Sequence, residues 1–253
     1  MFENDANYLD QHFLIDEDII KKYVSFPKFD KTDVVLEIGP GKGTLTRIIT
    51  PKVGKMYAIE LDKRLKPYLE EIPNLNIIWG SVLDVEIPKV DKIITSLPYS
   101  IIEPFIYKMI KTNFQEMYML MGDKYILNVV NKEITKLSVV TNSFFKTEIL
   151  LEVPPVAFDI QPRTDSYIVK MVKVEVPKEK KYQLYREIYL LDEKKIRNSL
   201  MEALIKLNSL TKKEAKELIK SLNIPETILE EKFETLSNKD LKILDIALEK
   251  LEN

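Results

Sequence analysis

The sequence predicts an α/β fold, in which helices cover both faces of a mostly parallel sheet, followed by a small all-α domain. Short β-rich runs alternate with helical patterns between about residues 33 and 170, and this alternation is typical of a parallel sheet. Only helical periods follow the stretch "VPKEKK" at 176–181. We therefore predict two domains, residues 1–175 and 176–253.

Apolar and β-branched runs define the predicted strands, which are 33–39, 55–62, 75–82, 89–99, 116–122, 147–155 and 165–176. Helices of the first domain are predicted at 44–53, 63–72, 101–111 and in the stretch that ends near 145. Helices of the second domain are predicted at 182–191, 193–207, 211–222, 225–233 and 237–252. Thr211 and Ser237 directly precede two of these periods, and such hydroxyl residues are typical N-caps.

The composition excludes several classes of protein. Hydrophobic residues make up 45% and charged residues 31% of the chain, which is enough apolar material for a buried core. No apolar run approaches the ~20 residues that span a bilayer, and the N-terminus lacks the basic start and apolar core of a signal peptide. With no cysteine and one histidine, we expect neither disulfides nor a metal site. The predicted protein is soluble, cytoplasmic and monomeric.

The net charge of −2 argues against a protein that coats nucleic acid through bulk charge, although it leaves room for a local basic face.

A glycine-rich loop follows the first predicted strand. In "VVLEIGPGKGTLT", Gly39, Gly41 and Gly43 lie between a strand and a helix, and Glu37 precedes them. Glycine lets the backbone turn tightly and lets a ligand approach the amide groups. Glu60 ends the second strand, 21 positions after Gly39, where an acid of an α/β nucleotide fold binds ribose hydroxyls.

The spacing of this loop narrows the ligand class. It is G-x-G-x-G and not the dinucleotide fingerprint G-x-G-x-x-G, because residue 44 is threonine. No Lys-Ser/Thr pair follows the glycines, which disfavours a phosphate-binding P-loop. The loop and its acid fit an adenosine-type cofactor such as S-adenosyl-L-methionine. A plain strand-to-helix turn is the alternative.

Another predicted strand ends in "SLPY", residues 96–99. This segment is either an ordinary turn or a rigid loop that holds a flat, aminated ring. Together with five other motifs it resembles the KsgA/Erm ribosomal RNA dimethylases. Those motifs are "DQHFLID" (10–16), "LEIGPGKGTLT" (36–46), "IELD" (59–62), "VPPVAFDIQPRTDS" (153–166) and "IRNSL" (196–200). The resemblance extends over nearly the whole chain.

This resemblance implies a Rossmann-like, class I methyltransferase domain, S-adenosyl-L-methionine as methyl donor, and a helical domain that helps to hold ribosomal RNA. It implies an expected cofactor site of Gln11, His12, Leu14, Glu37, Gly39, Gly41, Gly43, Glu60, Leu61, Ser81, Val82, Asp84 and Ser96. The expected catalytic residues are Ser96, Leu97, Pro98, Tyr99 and Phe158, where the two aromatic rings would stack on the target base. The expected RNA-binding residues are Lys194, Lys195 and Arg197.

The chain departs from the family pattern at positions that bear on the target base. Ser96 stands where the family usually has asparagine, and Ser81 stands where it usually has aspartate, so that Asp84 is a possible substitute. Ser-Pro-Pro-Tyr is typical of enzymes that methylate cytosine N4, and Asn-x-Pro-Tyr of those that methylate adenine N6. Ser96 therefore favours cytosine, with adenine N6,N6-dimethylation as the alternative.

Two other functional classes remain open at the level of sequence. A non-catalytic ribosome-assembly or transcription factor on the same fold would account for the altered Ser96 and Ser81. A methyltransferase for a small molecule or a protein is disfavoured by "KKIRNSL" (194–200) and "TKKEAKELIK" (211–220), which give basic helix faces suited to phosphates. Ordinary solvated helix surfaces are the alternative explanation for both stretches.

Overall fold

The structure is a computed structural model that describes residues 12–97 and 99–251. Gln11 and Pro98, both predicted site residues, lie outside the described residues, as does the side chain of Tyr99. The chain divides into two compact units, one of Met1–Ile126 and Thr147–Lys173, and one of Leu127–Lys146 and Val174–Asn253. The sequence analysis places residues 127–146 in the first domain, whereas in the structure this segment belongs to the second unit.

A seven-stranded sheet forms the centre of the first unit, as the sequence predicts. Its strands are β1 (Val34–Ile38), β2 (Lys55–Glu60), β3 (Leu75–Trp79), β4 (Lys92–Ser96), β5 (Glu116–Gly122), β6 (Phe145–Val153) and β7 (Ser166–Lys173). Their order is β3-β2-β1-β4-β5-β7-β6. In this order, each neighbouring pair among β3, β2, β1, β4 and β5 is parallel, and β7 pairs antiparallel with β5.

This strand order places a crevice beside β1. The chain winds outward from β1 through β2 to β3 and then returns to β4 on the other side of β1. The loops after β1 and β4 therefore diverge at the carboxyl end of the sheet, where α/β folds bind their ligands. The central strands are almost fully buried, because helices cover both sides of a parallel sheet.

The helices α1 (Glu17–Ser25), α2 (Thr44–Ile49), α3 (Lys66–Leu69) and α4 (Ile102–Lys111) lie in the first unit, and α5 (Asp123–Val130) continues into the second. The sequence analysis did not predict α1. Asp16 caps this helix by accepting hydrogen bonds from the backbone N–H groups of Asp18 and Ile19, both at 3.0 Å. Its apolar residues Ile19, Ile20, Tyr23 and Val24 join the core against β1 and β4.

The second unit is helical, as predicted. It contains α6 (Lys136–Phe144), α7 (Lys180–Leu190), α8 (Ile196–Asn208), α9 (Lys212–Ser221), α10 (Glu226–Leu229) and α11 (Asn238–Glu249). Thr211 forms a full capping box with Glu214, and Ser237 caps α11 by accepting from the N–H of Asp240. Across the residues that the structure describes, no helix is long and apolar enough to cross a membrane.

Candidate active site

A pocket of about 330 Å³ opens at the carboxyl ends of β1, β2 and β4, within the size range of small-molecule sites. It brings together most of the predicted site residues, which come from distant parts of the chain. These are His12, Leu14, Glu37, Gly39, Gly41, Glu60, Leu61, Ser81, Val82, Ser96, Leu97 and Phe158. Gly43 and Asp84 do not line it. Sequence reasoning missed several residues of its wall, including Pro40, Lys42, Thr44, Ser100 and Ile101.

The glycine loop lies close to the end of β4. Gly39 has a φ of +71°, and a Cβ added there would lie 3.1 Å from the carbonyl oxygen of Ser96. A side chain at Gly39 would therefore be strained and would also crowd the loop that follows β4. At Gly41 a Cβ would lie 2.6 Å from the ring of Phe13, so that the N-terminal motif packs directly onto the loop.

Gly43 has a different part in the loop from the one that the sequence suggested. It is the N-cap of α2, and a Cβ there would lie 2.7 Å from Cδ1 of Ile72. This glycine therefore permits close packing of the loop onto the neighbouring core and does not face the pocket.

Two buried carboxylates dominate the electrostatics of the pocket. Glu60 accepts hydrogen bonds from the backbone N–H groups of Gly41 at 3.2 Å and Asp62 at 2.8 Å. Burial raises the pKa of Glu60. Glu37 is 2% exposed and accepts a hydrogen bond of 2.6 Å from the Thr46 hydroxyl. Burial, opposed by this hydrogen bond and aided by the charge of Glu60, raises the pKa of Glu37 to about 7.

This pocket is suited to a cation. Its lining contains these two acids and one lysine, Lys42, whose ammonium lies 5.3 Å from the centre of the Phe13 ring. A positive ligand charge would offset the cost of burying the two carboxylates. S-adenosyl-L-methionine carries a sulfonium and an ammonium against a single carboxylate and is therefore a net cation, so the residues present fit the predicted cofactor.

The two motifs that are most specific to the predicted family pair with each other. The backbone N–H of Ile15 donates to the carbonyl of Ala157 at 2.8 Å, and that of Asp159 donates to the carbonyl of Phe13 at 3.0 Å. His12 Nδ1 lies 2.6 Å from the carbonyl oxygen of Ile160, so Nδ1 carries the proton in this contact. One wall of the pocket is thereby lined by His12, Phe13 and Leu14 of the first motif and by Phe158 of the second.

Phe158 is part of this wall and also part of the core. Its side chain is 3% exposed and packs with α1 and the central strands, and its ring meets His12 edge-on at 6.4 Å. The sequence analysis expects an aromatic that stacks on a base. In the structure Phe158 offers the pocket only a small part of its ring.

The "SLPY" segment begins at the end of β4, on the rim of the pocket. Ser96 is half-buried and Leu97 is buried, and both line the cavity. Beneath them the Tyr23 hydroxyl lies 2.8 Å from the carbonyl oxygen of Thr95 and 3.1 Å from that of Tyr118. Tyr23 therefore fixes the ends of β4 and β5 just before the loop. Sequence reasoning missed this residue, because nothing in the local pattern shows that a helical tyrosine reaches a strand 72 positions away.

The loop after β3 forms the opposite wall. Ser81 and Val82 line the pocket, whereas Asp84 is exposed and points elsewhere. The suggestion that Asp84 replaces the usual family aspartate is therefore not supported by its position. Lys108 on α4 donates to the carbonyls of Leu83 at 3.0 Å and Val85 at 2.6 Å, and it was also missed by sequence reasoning. This lysine connects the Ser81 loop to the helix that follows "SLPY".

The predicted RNA-binding residues lie in the second unit, and each of them is paired with an acid. Lys194 contacts Glu202 at 2.8 Å, and Lys195 contacts Glu230 at 2.6 Å. Arg197 contacts Glu230 at 3.1 Å and also Glu226. Their charges are therefore largely neutralised within the unit.

Comparison with known proteins identifies the family. A family profile described as ribosomal RNA adenine dimethylase matches residues 3–236. The chain is 34% identical over 247 residues to a probable ribosomal RNA small subunit methyltransferase A of Methanosarcina barkeri, covering 92% of this chain and 84% of that protein. It is 33% identical over 249 residues to a protein of the same name from Methanococcoides burtonii, covering 92% of this chain and 89% of that protein.

Solved structures agree with this fold. A dimethyladenosine transferase from Plasmodium falciparum superposes with a TM-score of 0.63 at 22% identity, covering 94% of this chain and 97% of that chain. The 23S rRNA methyltransferase ErmE superposes with a TM-score of 0.60 at 18% identity, covering 94% and 99%. The Rossmann-like fold predicted from the sequence is thus confirmed. The chain belongs to the ribosomal RNA adenine dimethylase family and is an S-adenosyl-L-methionine-dependent RNA methyltransferase.

Proposed function

We propose that this protein dimethylates the N6 amine of adenine in small-subunit ribosomal RNA. Support for adenine and for the small subunit comes from the family description and from the names of the archaeal relatives. The structural observation that carries the proposal is the acidic pocket at the switch point of the sheet, with Ser96 and Leu97 on its rim. The preference for cytosine that Ser96 suggested has no support from the relatives.

In this proposal the pocket holds S-adenosyl-L-methionine, which supplies an electrophilic methyl group when bound. Glu60 binds the ribose hydroxyls, because each of its oxygens keeps a lone pair beyond the backbone bonds to Gly41 and Asp62. Glu37 lies at the base of the pocket, where its carboxylate stabilises a positive charge of the ligand. Leu61 and Val82 provide apolar contact for the adenine ring of the cofactor, and Ser81 provides a hydroxyl beside that ring.

The target amine is held at the rim. The Ser96 hydroxyl and the Leu97 carbonyl accept hydrogen bonds from the two N–H groups of the amine, which localises the nitrogen lone pair. Positioning then supplies most of the rate enhancement. The N-methylated ammonium loses its proton readily, so the site needs no strong general base. Pro98 and Tyr99 are the remaining members of the proposed base site, and Phe158 lines the pocket wall. The base must be unpaired or taken out of its stack.

We also propose that the protein acts in the cytoplasm, with ribosomal RNA in a small-subunit particle as its partner.

The test is direct chemical identification of the product. Purified protein is incubated with S-adenosyl-L-methionine and undermethylated small-subunit ribosomal RNA, and the RNA is digested to nucleosides for mass spectrometry. We expect N6,N6-dimethyladenosine. N4-methylated cytidine would show that cytosine is the target base, as Ser96 suggests. The absence of any new methyl mark would refute the proposal. Isothermal titration calorimetry with the cofactor adds a second readout, because a non-catalytic assembly factor would bind RNA without binding the cofactor.

A single variant then separates the two bases. Ser96→Asn restores the usual family residue, so on an adenine enzyme we expect activity to be retained or increased. On a cytosine enzyme the longer amide would damage activity. Ser96→Ala is the matched control, because it removes the hydroxyl without adding the amide and should lower turnover in either case.

A further inference from the structure

The second unit carries a basic surface that differs from the one the family motif indicates. Residues 174–253 contain as many acidic as basic side chains, and most of the cations near "KKIRNSL" are paired with glutamates. Unpaired positive charge is concentrated on α9 instead. This helix carries Lys212, Lys213, Lys216 and Lys220, all of them exposed.

The four lysines share one face of the helix. At 3.6 residues per turn, Lys212, Lys216, Lys220 and Lys213 project within an arc of about 100°. Ala215 and Ile219 are buried and lie about 60° and 20° outside this arc, on the side of Lys212. The three lysines spaced four residues apart extend over about 12 Å along the axis, which is on the order of three or four consecutive phosphates of a duplex strand. We call these four residues the α9 lysine face.

Carboxylates do not neutralise this face. Within residues 12–97 and 99–251, no carboxylate oxygen forms a salt bridge with any of the four lysines. Glu214, on the same helix, is engaged elsewhere, because it accepts from the N–H of Thr211 at 2.8 Å and from its hydroxyl at 2.6 Å. Glu217 is the other acid of α9, and it lies about 40° beyond Lys213 at the edge of the arc.

The same helix is well fixed in place. The capping box closes its first turn, and the cap residue Leu222 and its neighbour Ile224 are buried. A rigid helix presents its lysines with a small loss of backbone entropy on binding. The paired cluster at Lys194, Lys195 and Arg197 would first have to give up its ion pairs.

We propose that the α9 lysine face docks on the phosphodiester backbone of the ribosomal RNA substrate. This inference rests on the proposed function and adds to it a second surface, on the helical unit, that binds the RNA backbone. Phosphate contacts of this kind position a protein on its RNA and supply most of the salt-dependent affinity. They do not read the sequence, so the target base is selected at the methyltransferase site.

The test compares two full-length triple variants with equal charge. In the first, Lys212, Lys216 and Lys220 are replaced by glutamine, which keeps helix propensity. In the control, Lys178, Lys232 and Lys242 are replaced by glutamine. These are exposed lysines of the same unit that lie on separate segments. Binding of undermethylated small-subunit ribosomal RNA is measured as a function of salt concentration.

We expect the α9 variant to bind RNA about tenfold or more weakly near physiological salt. Log affinity should decrease less steeply with log salt: the magnitude of this slope should be smaller by about two to three, at ~0.7–0.9 per lost phosphate contact. The control variant should retain most of the wild-type affinity and slope. Equal losses in the two variants would show a bulk charge effect and overturn the proposal, as would wild-type binding by the α9 variant.

Two further readouts separate this proposal from the proposed function. Cofactor affinity and melting temperature should be unchanged in the α9 variant, which would exclude misfolding as the cause of weak RNA binding. Methylation of adenine by the wild-type protein tests the proposed function independently. If the wild-type protein methylates adenine and the α9 variant binds RNA normally, only the assignment of this surface is wrong.

Discussion

Replacing Glu37, one of the two buried acids of the pocket, should make the protein more stable and weaken its binding of the cofactor. Glu37 is fully enclosed beside β2 and β4 and bonded to Thr46. Glutamine at this position keeps the shape of the side chain and an oxygen that accepts from the Thr46 hydroxyl, but it never ionises. We therefore expect Glu37→Gln to remove the cost of burying a charge at alkaline pH.

The size and sign of the effect follow from the pKa of Glu37. Folding raises it from the model-compound value of 4.5 to about 7. Between these values the folded state binds more protons than the unfolded state, so the wild-type protein loses stability as the pH rises from about 4.5 to 7. The full difference corresponds to about 3 kcal/mol. Glu37→Gln should therefore stabilise by about 3 kcal/mol at pH 8, and by less than about 1 kcal/mol at pH 5.

The assay is thermal unfolding of the free protein at both pH values. For a chain of this size, each kcal/mol shifts the melting temperature by roughly 2–4 °C, so the variant should melt roughly 6–12 °C higher than wild type at pH 8. Glu71→Gln, at an exposed position, is the control and should show no such pH-dependent gain. A variant that is no more stable than wild type at pH 8 would refute the argument that Glu37 is buried as a costly charge.

Cofactor binding should change in the opposite direction. If the Glu37 carboxylate stabilises a positive charge of the ligand, Glu37→Gln should weaken binding of S-adenosyl-L-methionine by about 1–3 kcal/mol, or roughly 5- to 150-fold. Isothermal titration calorimetry at pH 8 measures this loss. Unchanged affinity would place the positive groups of the cofactor away from Glu37.

Three further substitutions probe Gly39, which lines the pocket, and the buried residues Thr95 and Tyr23 beneath its rim. Gly39→Ala should weaken cofactor binding roughly 5- to 150-fold in calorimetry, because the φ of +71° and the 3.1 Å approach to the Ser96 carbonyl together cost about 1–3 kcal/mol. Thr95→Val should raise the melting temperature by roughly 2–4 °C, since the buried Thr95 hydroxyl has no hydrogen-bond partner among the described residues and valine removes its desolvation cost. Tyr23→Phe should lower turnover on RNA severalfold while cofactor affinity stays within about twofold, because it removes the hydroxyl that donates to the Thr95 and Tyr118 carbonyls, a contact worth about 1–2 kcal/mol. Equal losses of turnover and cofactor affinity in this variant would show a general structural defect.

The elements that could be predicted from the sequence are those whose signal is local. The apolar run before Gly39 predicts a buried strand, and the acid Glu60 at the end of the next strand predicts a partner for the glycine loop. Parallel strands bring such positions to one edge of the sheet, and the structure does place them in one pocket. Helix α1 also has a local signal, because Asp16 precedes apolar residues at helical spacing. It follows directly on the family motif at 10–16 and is absent from the predicted elements.

The orientation of individual side chains could not be predicted in the same way. Ser81 and Asp84 are three residues apart, yet Ser81 lines the pocket and Asp84 faces solvent, because the backbone turns between them with a hydrogen bond from the Asp84 N–H to the Ser81 carbonyl. The same limit applies to Phe158. The family motif implies that Phe158 stacks on the target base, whereas its ring packs in the core with α1.

Charge shows this limit most clearly, and it decides which basic residues are available to RNA. "KKIRNSL" has three basic residues and no acid, whereas "TKKEAKELIK" has four basic residues and two glutamates, and both predict a basic helix face. They differ in the acids that the fold brings near them. Glu230, 33 residues beyond Arg197, pairs with it. On α9, Glu214 instead accepts from the N–H of the cap residue Thr211. A lysine with a carboxylate partner at about 3 Å gives up that ion pair when it binds a phosphate, which costs up to about 1 kcal/mol for an exposed pair. Among the described residues the α9 lysines have no such pair to give up, which supports this face as the docking surface that we propose.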